Sequence, residues 1–255
     1  VTLRDWGLSK QWNGEEDSNG KHYYKWQSVV TLPDADLTSF TYTDTIKQAT
    51  QEEGTSTPDE NSHYAVASEL QKQFEDNLTI RLNVDGKFQD FKYNNDYVNF
   101  VVKYFDKDGN VIAADDSTSH VRKFTITVTP KTDHEDIVGS KLTLNYSTIV
   151  DFSQMNEGDR WKFKNDGAIP NKEVSADHTY TKPKTLEKQA GINKGQYIEY
   201  NNGTTKVDYD TVNGILYYRL FLRTETNTNG EITLTDKLPS GATLIEDSVK
   251  GAFYG

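Results

Sequence analysis

Cysteine is absent from the 255 residues, so neither disulfides nor thiolate metal sites can brace the fold. Long apolar runs are missing too: no stretch approaches the length of a membrane span, and no cationic leader precedes an apolar core. A cell-wall sorting signal is also lacking, so a secretion signal and wall anchor are expected to lie outside this stretch of chain. Positive charge is in deficit. Lys and Arg number 28 against 39 Asp and Glu, a net charge of −11, which argues against binding to phosphate backbones or anionic membrane surfaces. The five histidines, His22, His63, His120, His134 and His178, show no ligand spacing and no motif serine. A zinc enzyme or a serine hydrolase is therefore unsupported, and no cofactor is expected. No facing pair of carboxylates is identifiable, which leaves a carbohydrate-active sandwich as the weakest reading. Asp106-Lys107-Asp108-Gly109-Asn110 begins like a calcium loop but lacks the terminal glutamate, and strand-like flanks make it a hairpin turn.

What the chain does have is β pattern. In His22 to Val30, the two-residue period puts Tyr24, Trp26, Ser28 and Val30 on one face. Segments around Phe40–Thr43, Leu78–Leu82, Tyr97–Val102, Phe124–Val128 and Leu142–Tyr146 share the β-branched and aromatic bias of strands. Asn13-Gly14, Asn19-Gly20, Asp85-Gly86 and Asp108-Gly109 punctuate them. One helix is expected from Thr57-Pro58-Asp59-Glu60, an N-cap, a first-turn proline and a capping-box glutamate, with Tyr64, Ala67, Leu70 and Phe74 on its apolar face. The polar stretch from Asn171 to Lys184, with Pro170 and Pro183, reads as a linker. Beyond it, Gly195–Tyr200, Thr205–Val207, Ile215–Arg223 and Glu231–Thr235 read as further strands, with turns at Asn202-Gly203, Asn213-Gly214 and Asn229-Gly230. The expected organisation is all-β, with residues 1–180 and 181–255 forming two antiparallel sandwiches. The second is expected to be cut short.

Leu8-Ser9-Lys10-Gln11-Trp12 is echoed by Leu186-Glu187-Lys188-Gln189-Ala190. Each lysine lies mid-strand, and each is followed downstream by a Thr-Asp pair, Thr43-Asp44 and Thr235-Asp236, the second within Thr-Asp-Lys-Leu-Pro. Late in the first unit stands Lys164-Asn165-Asp166-Gly167-Ala168. Read singly, Lys10 is an exposed strand lysine whose stem covers an apolar neighbour, and Asp44 and Asp236 are turn residues. Read together, they offer an amine, an acid and a carboxamide. A lysine must be neutral to attack an amide, and burial depresses its pKa. Leu8 and Trp12 flank Lys10 on the same face. A buried carboxyl in its acid form can polarise the carboxamide and relay protons to departing ammonia.

These pieces resemble the isopeptide-forming, collagen-adhesin-type immunoglobulin-like domains of Gram-positive adhesins and pilins. The resemblance implies Lys10 as amine donor on the first strand, Asp44 as catalytic acid, and Asn165 or Asn171 as the carboxamide on the last strand. It implies Lys188 and Asp236 as the amine and acid of a second site, with no complete bond there unless another chain donates the asparagine. It also implies a cell-wall-anchored surface protein that is no turnover enzyme, because the cross-link forms once per molecule. The partners implied are a host matrix or cell-surface protein, or other pilin subunits, and no nucleic acid or membrane. A spacer stalk with no ligand of its own is the alternative.

Overall fold

The structure is a computed structural model that describes residues 4–193, 196–199, 214–223 and 232–251. The chain divides into two compact units, Val1–Lys184 and Thr185–Gly255. In the first unit, β1 (Gly7–Ser18) and β2 (Lys21–Thr31) form a hairpin, followed by β3 (Phe40–Ile46), β4 (Thr50–Glu53), β5 (His63–Val66) and helix α1 (Ala67–Asn77). Then come β6 (Thr79–Val84), β7 (Lys87–Lys92), β8 (Val98–Phe105), β9 (Val111–Ile112), β10 (His120–Val121), β11 (Lys123–Pro130), β12 (Gly139–Val150), β13 (Arg160–Ile169) and β14 (Lys172–Thr181). The turns joining β1 to β2 and β6 to β7 need left-handed backbone at both central residues. Asn19-Gly20 (φ 51° and 73°) and Asp85-Gly86 (φ 52° and 76°) supply it.

Two antiparallel sheets result. One runs β1-β2-β12-β5-β10, with β6 added to β12 and β7 to β6; the other runs β14-β13-β3-β11-β8-β9, with β4 on β13. Alternation in sequence becomes alternation in burial. Tyr24, Trp26, Ser28 and Val30 of β2 all point into the core, as do Phe40, Tyr42, Asp44 and Ile46 of β3 and Trp161, Phe163 and Asn165 of β13. Trp26, Trp161, Tyr24, Tyr42, Tyr104, Phe74, Phe124 and Phe163 are the largest wholly enclosed side chains. The first unit is an all-β antiparallel sandwich carrying one α-helix and a short 3-10 turn at Thr132–His134.

Three features of the first unit differ from the sequence expectation, the first being Asn13-Gly14, which is no inter-strand turn but a register irregularity inside β1 between Trp12 and Glu15. The helix starts at Ala67, not at Pro58. The Asp59 carboxylate instead accepts the Asn61 amide at 2.8 Å in a tight turn, and His63–Val66 is a strand paired with β12 and β10. A local capping signal lost to pairing with two distant strands. Ala67, Leu70 and Phe74 do form the buried helical face, whereas Tyr64 belongs to β5 and stacks on His120 at 3.6 Å. The stretch expected to be a linker is β14, paired with β13 from Arg160↔Thr181 to Ile169↔Lys172. Its polar residues are the solvent side of an edge strand. Ala176 is buried, while His178 stacks on Trp12 and Tyr180 on Phe152.

In the second unit, β15 (Leu186–Asn193) lies between β16 (Gln196–Glu199) and β17 (Tyr217–Leu222) in an antiparallel sheet. The strand expected over Glu231–Thr235 is not formed by its described residues, since 232–239 carry no secondary structure. Thr205–Val207 and the turns Asn202-Gly203 and Asn229-Gly230 lie outside the described residues, as do Gly195, Tyr200, Asn213 and Glu231.

One buried histidine is wholly structural. Nδ1 of His63 donates to the Lys47 carbonyl at 2.7 Å, so Nε2 accepts from the Thr148 hydroxyl at 2.8 Å, and that hydroxyl in turn accepts from the Trp26 indole at 2.8 Å. Burial, and to a smaller degree the charges of Arg122 and Lys10, depress its pKa from 6.5 to about 3. The unfolded chain therefore takes up a proton near pH 6.5 that the folded chain refuses until about pH 3, so stability is lost as pH falls through that window. Between about pH 7 and about pH 4.5 the wild type should lose roughly 2–3 kcal/mol more than a His63→Gln chain. Urea unfolding at the two pH values measures the difference, and equal losses would contradict it.

Candidate functional site

The sandwich brings six residues from five strands to a single enclosed point. Lys10 on β1 lies directly opposite Ser28 on β2, and Tyr146 on β12 lies one diagonal step from Ser28. From the other sheet, Tyr42 and Asp44 project from the same face of β3, two residues apart. Asp44 pairs with Gly167 of β13, which puts Asn165 one diagonal step away on that face. Gly167 is glycine for a spatial reason: a Cβ there would lie 2.7 Å from the Tyr42 hydroxyl oxygen. Lys10 and Asp44 side chains are 0% exposed, and Asn165 is likewise 0% exposed. Leu8 and Trp12 flank Lys10 on β1, and Trp12 stacks on His178 of β14 with ring centroids 3.8 Å apart.

Lys10 Nζ donates to Asp44 Oδ2 at 2.6 Å, Ser28 Oγ at 3.1 Å and the Tyr42 hydroxyl at 3.2 Å, and it contacts the Tyr146 hydroxyl. Tyr42 donates to Asp44 Oδ2 at 2.7 Å, so Ser28, 2.7 Å from Tyr42, donates to it in turn. Tyr146 also donates to Asp44 Oδ2, and its oxygen accepts from Asn165 Nδ2 at 3.1 Å. Two oxygens in this enclosed cluster have no hydrogen-bond partner, Asp44 Oδ1 and Asn165 Oδ1.

Burial lowers the Lys10 pKa from the ordinary lysine value, outweighing the Asp44 carboxylate, which raises it. Tyr42 and Tyr146 are pushed well above the ordinary phenol value, first by burial and then by the negative charge of Asp44. Both hydroxyls therefore keep their protons and act as donors. Burial thus favours the uncharged form of the Lys10 amine, which stands beside the Asp44 carboxyl and in one hydrogen-bonded cluster with the Asn165 carboxamide.

Of the sequence candidates, Lys10, Asp44 and Asn165 meet here. Asn171 does not: it is exposed in the turn between β13 and β14. Asn165 sits on β13, the penultimate strand of its unit, rather than on the last, because β14 follows it. Ser28, Tyr42 and Tyr146 were not among the candidates. The signal for Tyr42 was its position two residues before Asp44 on a strand. No local signal marked Tyr146, whose place depends on pairing between β12 and β2. In the second unit, Lys188 on β15 lies opposite Leu220 of β17. Its Nζ is 2.6 Å from Asp236 Oδ1 and 4.4 Å from the Tyr218 ring centroid. This second pair is more open, with side chains 20% and 29% exposed. Asp106–Asn110 joins β8 to β9 as a turn, the Asp106 carboxylate accepting both the Asp108 and Asn110 amides.

No known family profile and no curated protein sequence matches the chain. Among solved structures, it is similar to the collagen-binding subdomain of the Enterococcus faecalis surface protein ACE, at 10% identity and TM-score 0.32 over 69% of this chain and 96% of that one. It is also similar to the collagen-binding domain of a Staphylococcus aureus adhesin, at 10% identity and TM-score 0.30 over 70% of this chain and 98% of that one. A third similar structure is BcpA, the major pilin subunit of Bacillus cereus, at 12% identity and TM-score 0.31 over 89% of this chain and 63% of that one.

Proposed function

We propose that the chain is a load-resisting module of a Gram-positive surface adhesin or pilin, and that its first unit cross-links itself through an amide between Lys10 and Asn165. The observation that carries this reading is the enclosure of Lys10 Nζ, with no solvent access, in one hydrogen-bonded cluster with Asp44 and the Asn165 carboxamide. Neutral Nζ attacks Asn165 Cγ, and Asp44 in its acid form stabilises the charge that develops on Asn165 Oδ1. The Cγ–Nδ2 bond then breaks. Nζ gives up one proton and Nδ2 gains one, so the products are a secondary amide and ammonia. Nothing is oxidised or reduced, and the site is consumed.

Because Lys10 belongs to one sheet and Asn165 to the other, the amide rivets the two layers of the sandwich together. A chain without cysteine gains in this way a covalent brace that needs no oxidant. Lys188 and Asp236 would serve as amine and acid of a second site. Such a module suits an extracellular, wall-attached fibre, joining other subunits or holding a host matrix or cell-surface protein.

Intact mass tests the chemistry. The wild type should fall short of its sequence mass by one ammonia for each bond formed, and peptide mapping should recover Lys10 joined to Asn165. A Lys10→Ala chain should lack that joined peptide. A wild type at its full sequence mass would end the proposal.

A further inference from the structure

We propose that Tyr146 is a catalytic residue of this self-cross-linking, its hydroxyl carrying a proton from Lys10 Nζ to Asn165 Nδ2 as ammonia leaves. The inference rests on the cross-linking reading above and assigns a step that reading leaves open. Amide nitrogen is a poor leaving group until it is protonated, so some group must deliver a proton to Nδ2 itself. The Asn165 Nδ2 hydrogen bond goes to the Tyr146 hydroxyl at 3.1 Å, not to Asp44. That one oxygen also contacts Lys10 Nζ and donates to Asp44 Oδ2. Tyr146 therefore touches the attacking nitrogen, the acid and the departing nitrogen. Neither other hydroxyl does. Tyr42 reaches Lys10 at 3.2 Å and Asp44 at 2.7 Å, and Ser28 reaches Lys10 at 3.1 Å and Tyr42 at 2.7 Å. Both are positioning residues that hold the amine and the carboxyl.

The relay balances. When Nζ bonds to Cγ it becomes a cationic nitrogen and releases a proton to the Tyr146 oxygen. The phenolic proton passes to Nδ2, the Cγ–Nδ2 bond breaks, and Tyr146 ends with the proton count it began with. Phe74 and Phe124 wall the ring, with centroids 6.1 Å and 5.2 Å from that of Tyr146. The hydroxyl is thereby aimed and water is kept from competing. Burial keeps the phenol protonated, as a donor must be.

The test is the rate of ammonia loss in full chains made by cell-free synthesis, with aliquots quenched into acid denaturant and weighed intact. Tyr146→Phe should convert about 100- to 10,000-fold more slowly than wild type. Tyr104→Phe, which removes a hydroxyl bonded to Gln71 at 2.9 Å and outside the cluster, should convert at the wild-type rate. Near-UV circular dichroism shows whether each variant has folded. If Tyr146→Phe fails to fold, site-specific 3,5-difluorotyrosine at position 146 keeps the ring and changes only the acidity of its hydroxyl. Its rate should shift, and a rate equal to wild type would overturn the relay. So would a folded Tyr146→Phe chain that loses ammonia as fast as wild type, or equal slowing by Tyr104→Phe. A wild type that loses no ammonia would overturn both readings together.

Discussion

An Asp44→Asn chain should fold, keep Lys10 and Asn165 as separate side chains, and unfold with about 5 kcal/mol less stability than the wild type. The size comes from the loop the amide would close, about 155 residues from Lys10 to Asn165. Closing a loop of that length removes about 5 kcal/mol of conformational freedom from the unfolded chain on the disulfide analogy. Asparagine keeps the shape of Asp44 and can still accept from the Tyr42 and Tyr146 hydroxyls, which donate to Oδ2 in the wild type. It cannot supply an acidic proton or balance a charged lysine. Lys10 then sits enclosed beside a neutral partner, which adds to the destabilisation unless the amine gives up its proton. Urea unfolding of the two chains, each first weighed intact, measures the effect. Matching midpoints in chains that differ by one ammonia would show that the cross-link contributes no stability.

Phe74→Ala should cost about 3–5 kcal/mol, the usual range for truncating an enclosed aromatic ring. Phe74 lies on the buried face of α1, fully enclosed, with ring centroids 5.1 Å from Phe124 and 6.1 Å from Tyr146. The measurement belongs in the Asp44→Asn background, where no cross-link restricts the unfolded chain. A loss below about 1 kcal/mol would mean that the helix face is not fixed against the two sheets.

The residues that can be read from sequence are those whose roles depend on near neighbours. The alternation of Tyr24, Trp26, Ser28 and Val30 marked β2 and its inward face, and all four are buried. The Asn-Gly and Asp-Gly turns marked two hairpins. Lys10 and Asp44 stood out through their echo in Lys188 and Asp236, a comparison internal to the chain. What depended on long-range pairing was not legible. The capping box at Thr57 was a sound local signal, yet the next segment became β5 because Tyr64 and His63 pair with Ile149 and Val150, far along the chain. The polarity of Lys172–Thr181 looked like a linker because only one side of an edge strand is dry, and the apolar contributions of Val174, Ala176 and Tyr180 are spread thinly among charges. Tyr146 was invisible as a site residue for the same reason. Its hydroxyl meets Lys10 and Asp44 only once β12 has docked on β2 and the other sheet has closed over it.

The position of Asn165 before the end of its unit has a mechanical corollary. A pull arriving through Lys184 reaches the proposed rivet only after travelling back along β14 and through the turn into β13. Antiparallel strands loaded at one end open like a zipper, one rung at a time, beginning at the Arg160↔Thr181 pair. The roughly 19 residues between Asn165 and Lys184 reach about 65 Å when extended, and since Ala176 already lies opposite Asn165 the slack released before the amide takes the strain would be about 40 Å. That length could zip closed again when the pull subsides, so the hairpin would serve as a recoverable shock absorber in series with the proposed tie.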